Sequence, residues 1–288
     1  MTIFLRLLKN EDKANGLTAI AGALRAGEAD ARIFDIESSE VGKVPGAPFA
    51  YWATDSIRRV FSMIPAFETK ERAIRVGDHP GDGFRFLRLY WEVLKIRTHP
   101  VGWECYQKGG AYSPFYADIH LVATWNHVRE SYEGFFGRPG RSSERPSNFE
   151  FFFRPGLTWP RRTTSGLGMR VLPSGCIFAD KGPAAFVADE DPDELLALLA
   201  VTVSAPFKQL VGLQLAAADA AARSYEVGVI QRTPVPDLSE VDRGHLAALA
   251  RRAWSLKRTL DTINETSHAF VLPEILRARA NMPDGVGS

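Results

Sequence analysis

MRVLPSGCIFADKGPAAFVADEDPDELLALLA, Met169 to Ala200, holds two textures in one run. Its first part, MRVLPSGCIFAD, reads as a hairpin turning at Pro173-Ser174-Gly175. After Gly182 the pattern changes. Asp191 is placed to cap a helix whose first position is Pro192 and whose apolar face is Leu195, Leu196, Leu198 and Leu199. A carboxylate at that position accepts from the open N–H groups of the first turn, and proline has no N–H to lose there. Strands before this point and helices after it predict an α+β chain: a β-rich domain of short twisted sheets, then a helical C-terminal part with a long packing helix.

Upstream, residues 73–180 are punctuated by turn signals at Pro80-Gly81-Asp82-Gly83, Lys108-Gly109-Gly110, Arg138-Pro139-Gly140 and Pro155-Gly156, with short strands between them. The first 30 residues predict a helix, with Leu17, Ile20 and Leu24 on one face. ARIFDIESSEVGKVPGAPFAYWAT then reads as a strand, a turn and the entry to another helix. Downstream, Ser204 and Pro206 can start a second helix, and Tyr225 to Ile230 reads as a short strand stopped by Thr233-Pro234-Val235-Pro236. Beyond Ser239, Leu246, Leu249, Ala253, Leu256, Leu260 and Ile263 recur at alternating threes and fours, the spacing of a lengthwise packing seam. The expected divisions are 1–70 for the N-terminal helix and connecting segment, 71–190 for the β-rich region, 191–280 for the helical segment with one strand, and 281–288 for a disordered tail.

The composition, 45% hydrophobic and 24% charged over 288 residues, is that of a globular chain able to bury a core. No stretch near the N-terminus is long and apolar enough for an export signal or a membrane span, so cytoplasm is the expected compartment. Cys105 and Cys176 are far apart in sequence, belong to no CxxC, and suggest no zinc site. The six histidines show no metal-ligand spacing.

The net charge of +1 is unevenly spread: residues 72–170 carry +6 and the remainder −5. The same basic middle holds Trp91, Trp103, Trp125, Trp159 and many phenylalanines. Cations interleaved with aromatics and glycines suit a surface that neutralises phosphates and stacks against bases. Ser113-Pro114-Phe115-Tyr116 is one residue away from the Pro-Pro loop with which DNA amino-methyltransferases hold a flipped base. Phe115 in place of the second proline removes the stiffness that loop needs. Nor does Gly166-Leu167-Gly168 open a cofactor-binding helix, because Met169-Arg170-Val171 reads as a strand. A metal-dependent nuclease pattern at Asp82, Glu92 and Lys95 has the wrong interval, since residues three apart in a strand point to opposite faces.

Six segments in order carry a resemblance: GDGFRFLRLYWEV from Gly81, YQKGG from Tyr106, FEFFFRPGLTW from Phe149, GMRVLPSGCIFAD from Gly168, LLALLAV from Leu195 and YEVGVIQRTPVP from Tyr225. Together with VPGAPFAYWAT from Val44, this order resembles the C-terminal target-recognition region of N6-adenine-specific DNA methyltransferases of BREX and type II restriction-modification systems, over residues 40 to 240. The resemblance implies double-stranded DNA as a partner, and a catalytic half or other defence proteins beside it. S-adenosylmethionine would belong to that catalytic half, with no cofactor or metal held here and no membrane contact. It also implies that SPFY is a coincidence within the recognition region. Where the family has Thr-Gly-Asp-Asn, this chain has Pro80-Gly81-Asp82-Gly83. The first Met follows nothing resembling a cofactor-binding domain, which suggests a truncated gene, a split enzyme or an excised domain.

DNA contacts are expected from two groups of residues, since phosphate contacts come from Lys, Arg and backbone donors and base contacts most often from Arg. Gly81, Asp82, Arg85 and Arg88 sit at and after one glycine turn, and Lys108 precedes another; Arg154, Arg161, Arg162 and Arg170 flank the GLTW turn and the expected hairpin. Two other functions fit the same chain: a protein-interaction module of a defence complex working through the C-terminal helix, and a self-sufficient enzyme on an α+β scaffold.

Overall fold

The structure, a computed structural model, describes residues 2–79, 83–93, 102–124, 148–215 and 223–280. The fold is α+β. Twelve short strands form among the described residues: β1 (Thr2–Leu5), β2 (Ile33–Ile36), β3 (Arg72–Arg75), β4 (Leu87–Leu89), β5 (Trp103–Gln107), β6 (Leu121–Thr124), β7 (Gly156–Thr158), β8 (Arg162–Thr163), β9 (Arg170–Leu172), β10 (Cys176–Phe178), β11 (Ala184–Val187) and β12 (Arg223–Ser224). Two four-stranded sheets are central, in the orders β10-β5-β6-β4 and β3-β11-β7-β9, and the two pairs β1-β2 and β8-β12 are peripheral. The longer helices are α1 (Lys13–Ala26), α2 (Asp55–Met63), α3 (Pro192–Val203), α4 (Ala205–Leu215), α5 (Val227–Arg232), α6 (Glu240–Leu260) and α7 (Glu274–Ala280).

The sheet β3-β11-β7-β9 is the middle layer. One of its faces meets the helices, where Ala185 and Val187 join Leu195, Leu198, Leu199, Phe207 and Ala250. The other meets the β5-containing sheet, where Ala184, Phe186 and Leu172 join Tyr106, Cys176 and Phe178. With both faces covered, β11 is buried at all four residues, so it reads as a continuous apolar run. Trp159, fully buried at the join, donates its indole N–H to the Tyr225 carbonyl at 2.9 Å. A buried indole needs such a partner, and this one ties the sheet to the C-terminal region.

The caps form as their chemistry requires. Asp191 Oδ1 accepts from Asp193 N at 2.9 Å, Ser204 Oγ from Phe207 N at 3.4 Å, and Ser239 Oγ from Asp242 N at 3.1 Å. No single described helix is long and apolar enough to cross a membrane; α3 and α4 together approach that length but are bent by 63°, and α3 lies against the sheet.

Four expectations are corrected. The N-terminal segment is not helical throughout: Thr2–Leu5 pairs antiparallel with Ile33–Ile36, and the helix begins only at Lys13, after the Asp12 cap. The Met169–Asp180 hairpin does not exist. β9 pairs with β7, whereas β10 runs parallel to β5, because the turn at Gly175 carries the chain from one sheet to the other. Gly175 N donates to Phe153 O and Phe153 N to Cys176 O, so a neighbouring segment takes up the bonds a hairpin would have used internally. The run from Tyr225 to Ile230 is not a strand but enters helix α5, where Ile230 is buried and Thr233 Oγ1 closes the end by donating to Val229 O. Finally, α6 packs on α3 through the small residues Ala247 and Ala250, while Leu249, Leu256 and Leu260 are more than 60% exposed. The packed stripe is therefore one step round the helix from the leucine seam. Cys105 and Cys176, distant in sequence, are register partners across β5 and β10.

Candidate nucleic-acid interface

At the end of β5 the chain turns through Lys108-Gly109-Gly110-Ala111, and both glycines adopt positive φ, 98° and 104°. A Cβ on Gly109 would stand 2.4 Å from the Lys181 carbonyl oxygen, so only glycine fits this close approach. The approach is to the protein's own backbone. Behind the loop lies Arg170, the first residue of β9, only 2% exposed. Its guanidinium donates to the carbonyls of Ala111 (2.9 Å) and Gly109. Burial depresses its pKa to about 10, which leaves it cationic at neutral pH. No described carboxylate pairs with it. A buried charge held only by carbonyl dipoles is costly.

The loop and Arg170 form one side of a cleft of about 460 Å³. The rest of its lining comprises Ser113, Tyr116 to Leu121 and, from the C-terminal region, Lys257, Leu260, Asp261 and Asn264. Ser113-Pro114-Phe115-Tyr116 is fixed to the sheet by Phe115 N donating to Met169 O (2.9 Å) and Val171 N to Phe115 O (3.1 Å). The Ser113 hydroxyl is spent on Tyr116 O at 2.6 Å. Asp118 is clasped by His268, whose backbone N–H donates to Oδ2 at 3.1 Å and whose Nδ1 lies 3.1 Å from the same oxygen. His120 Nε2 stands 3.2 Å from Asp118 Oδ2, and the His268 ring rests on Tyr90 with centroids 3.8 Å apart. These contacts join the 116–120 loop to the C-terminal segment and so set the width of the cleft.

The structure sorts the expected DNA-binding residues into groups. Gly81, Asp82 and the side chain of Arg85 lie outside the described residues. Arg154 is a packing residue: it pairs with Glu190 at 2.7 Å, caps the Val187 carbonyl and lies over the Phe151 ring. Arg161 is similarly engaged, 2.8 Å from Glu226 and 3.9 Å from Asp180. Arg88 is half-buried and donates to the carbonyls of Phe84 (2.5 Å) and Leu87 (2.7 Å). Arg162 is exposed on β8, apart from the cleft, with no described carboxylate partner. Lys108 and Arg170 meet in the cleft, and the Lys108 ammonium reaches back to Gly83, 3.5 Å from where its Cβ would be. The far wall, with Lys257 and Asn264, had no signal in the sequence reading, because nothing local marks a helix end as facing a loop 150 residues away. Among the described residues no group of three or more His, Cys, Asp or Glu could hold a metal ion.

An α+β chain with a cation-floored cleft is the class of molecule these features define. No protein-family model matches it. It is similar to the adenine-specific methyltransferase BrxX of Escherichia coli O9:H4 (strain HS), 26% identical over 245 residues, which is 83% of this chain and 19% of that protein. It is likewise similar to the adenine-specific methyltransferase PglX of Lacticaseibacillus casei (strain Zhang), 27% identical over 168 residues, 54% of this chain and 14% of that protein. The chain thus spans less than a fifth of the length of these relatives and is distantly related to adenine-specific methyltransferases.

Proposed function

We propose that this chain is the DNA target-recognition part of an adenine-specific DNA methyltransferase in a phage-defence or restriction-modification system, with the S-adenosylmethionine-binding catalytic half supplied elsewhere. The observation that carries the reading is convergence: Lys108 and Arg170, from two separate segments of the resemblance, line one cleft, and Gly83, from a third, lies beside the Lys108 ammonium. The relatedness to adenine-specific methyltransferases adds support. In this reading Lys108, Lys257 and the exposed Arg162 neutralise phosphates and fix register, while base reading comes from side chains docked into a groove. Arg154 and Arg161, already paired with carboxylates, are released from the role expected of them and proposed as scaffold.

The test is fluorescence anisotropy of the chain with a randomised duplex pool, titrated with salt and followed by sequencing of the bound fraction. Affinity should fall linearly on a log–log salt plot, and a motif should be enriched. Absence of binding at low salt, or binding with no enriched motif, would sink the recognition role. A second reading, docking of another protein on the C-terminal helix, is favoured by the exposed row Leu249, Leu256 and Leu260. Partner binding abolished by Leu256→Lys but indifferent to Lys108→Ala would support it.

A further inference from the structure

We infer that the cleft floored by Arg170 is a seat for a phosphate group carried by a nucleotide, contacted by the Lys108–Ala111 loop and by Lys257. The inference rests on the DNA-recognition reading only for the source of the phosphate; the chemistry of the seat stands without it.

Three observations converge. Arg170 occupies the carbonyl oxygens of Gly109 and Ala111, while the N–H groups of Gly109, Gly110 and Ala111 donate to no described residue. Consecutive free N–H groups on a glycine-rich loop form an anion-binding concavity. Lys108, exposed, and Lys257, half-buried, line the cleft, and neither pairs with a described carboxylate. The two acidic groups of the lining have partners of their own: Asp118 accepts from the His268 backbone N–H at 3.1 Å, and Asp261 from the Ser267 hydroxyl at 3.3 Å. Three cations, Lys108, Arg170 and Lys257, therefore line the cleft against two carboxylates, beside backbone N–H groups with no described acceptor. The volume, about 460 Å³, suits one small ligand and is too small for a duplex. A phosphate reaching it belongs either to a nucleotide extruded from DNA or at a strand end, or to a free nucleotide.

The test is isothermal titration calorimetry of the full chain at low ionic strength with inorganic phosphate, deoxyadenosine 5′-monophosphate and deoxyadenosine. The two phosphates should bind saturably and the nucleoside should not. The double variant Lys108→Ala/Lys257→Ala, with unchanged circular dichroism, should weaken nucleotide binding by about tenfold, as expected for loss of charge-assisted contacts. Arg170→Gln should abolish binding; because Arg170 also holds the loop, the lysine variant carries the test if that protein unfolds. Displacement of bound duplex by the monophosphate points to DNA as the source, and lack of displacement to a free nucleotide; either upholds the seat. Equal binding of deoxyadenosine and its monophosphate, no saturable phosphate binding, or an unchanged lysine variant overturns it. Duplex binding that persists unaltered in the lysine variant would leave DNA recognition standing and remove the seat, whereas phosphate binding without any duplex binding does the reverse.

Discussion

Glycines separate two kinds of constraint in this chain. At Gly77 an added Cβ would stand 1.9 Å from the Phe178 carbonyl oxygen, where β10 crosses close to the segment after β3. Gly77→Ala is expected to destabilise by about 3 kcal/mol, the upper range for forcing extra volume into a packed site. At Gly175 nothing lies within 4 Å and only φ, +79°, resists a side chain. Gly175→Ala should therefore cost only about 1–2 kcal/mol, the left-handed penalty of an L-residue. Urea denaturation of the two variants checks the contrast, and equal losses would contradict it. Asp191→Ala, which removes the bond to Asp193 N, should cost about 1 kcal/mol by the same measurement. That cap was legible in the sequence because its partner is two residues away; the need for Gly77 was not, because its neighbour is about 100 residues distant.

Helix α6 shows how a correct element can present the wrong face. Its existence and its approximate length follow from local signals, but the a/d spacing of its leucines points to a stripe that the fold leaves in solvent. Ala247 and Ala250 pack instead, since small side chains let α6 approach α3 closely, and Arg251 adds an ion pair to Asp193 at 2.6 Å. Ala250→Leu should cost about 1–3 kcal/mol through overpacking. Leu256→Lys should change stability by less than about 0.5 kcal/mol, as for other surface positions. Thermal unfolding distinguishes them, and a large loss at Leu256 would place that row in a folded contact. The hairpin error has the same origin: β9 and β10 have strand composition, but three-residue strands hold too little pattern to choose a partner.

The molecule folds around a core that takes residues from both the β-rich middle and the helical third. Trp159, Leu157 and Val187 share that core with Leu195, Leu199 and Tyr225 from the helical third. Residues 71–190 expressed alone should therefore fail to unfold cooperatively, and Trp159→Ala in the full chain should lose about 3–5 kcal/mol. Circular dichroism during urea titration reads both; a cooperative transition in the fragment would mean that the sheets support themselves. The cleft is also a property of this assembly, since its walls come from the end of β5, the start of β9 and the C-terminal end of α6.

Local chemistry accounts for what could be read from residues alone: the α+β class, the switch from strands to helices after Gly182, the helix starts at Asp191 and Ser204, and the basic, aromatic middle. Each depends on neighbours within a turn or on composition. Strand partners, the buried face of α6, and the division of the arginines between scaffold and cleft depend on which distant segments come together. Arg154 and Arg170 are both arginines in the same basic stretch, and only packing gives the first a carboxylate and leaves the second with carbonyl dipoles alone. Burial and pairing are properties of three-dimensional neighbourhoods, and no spacing along the chain encodes them.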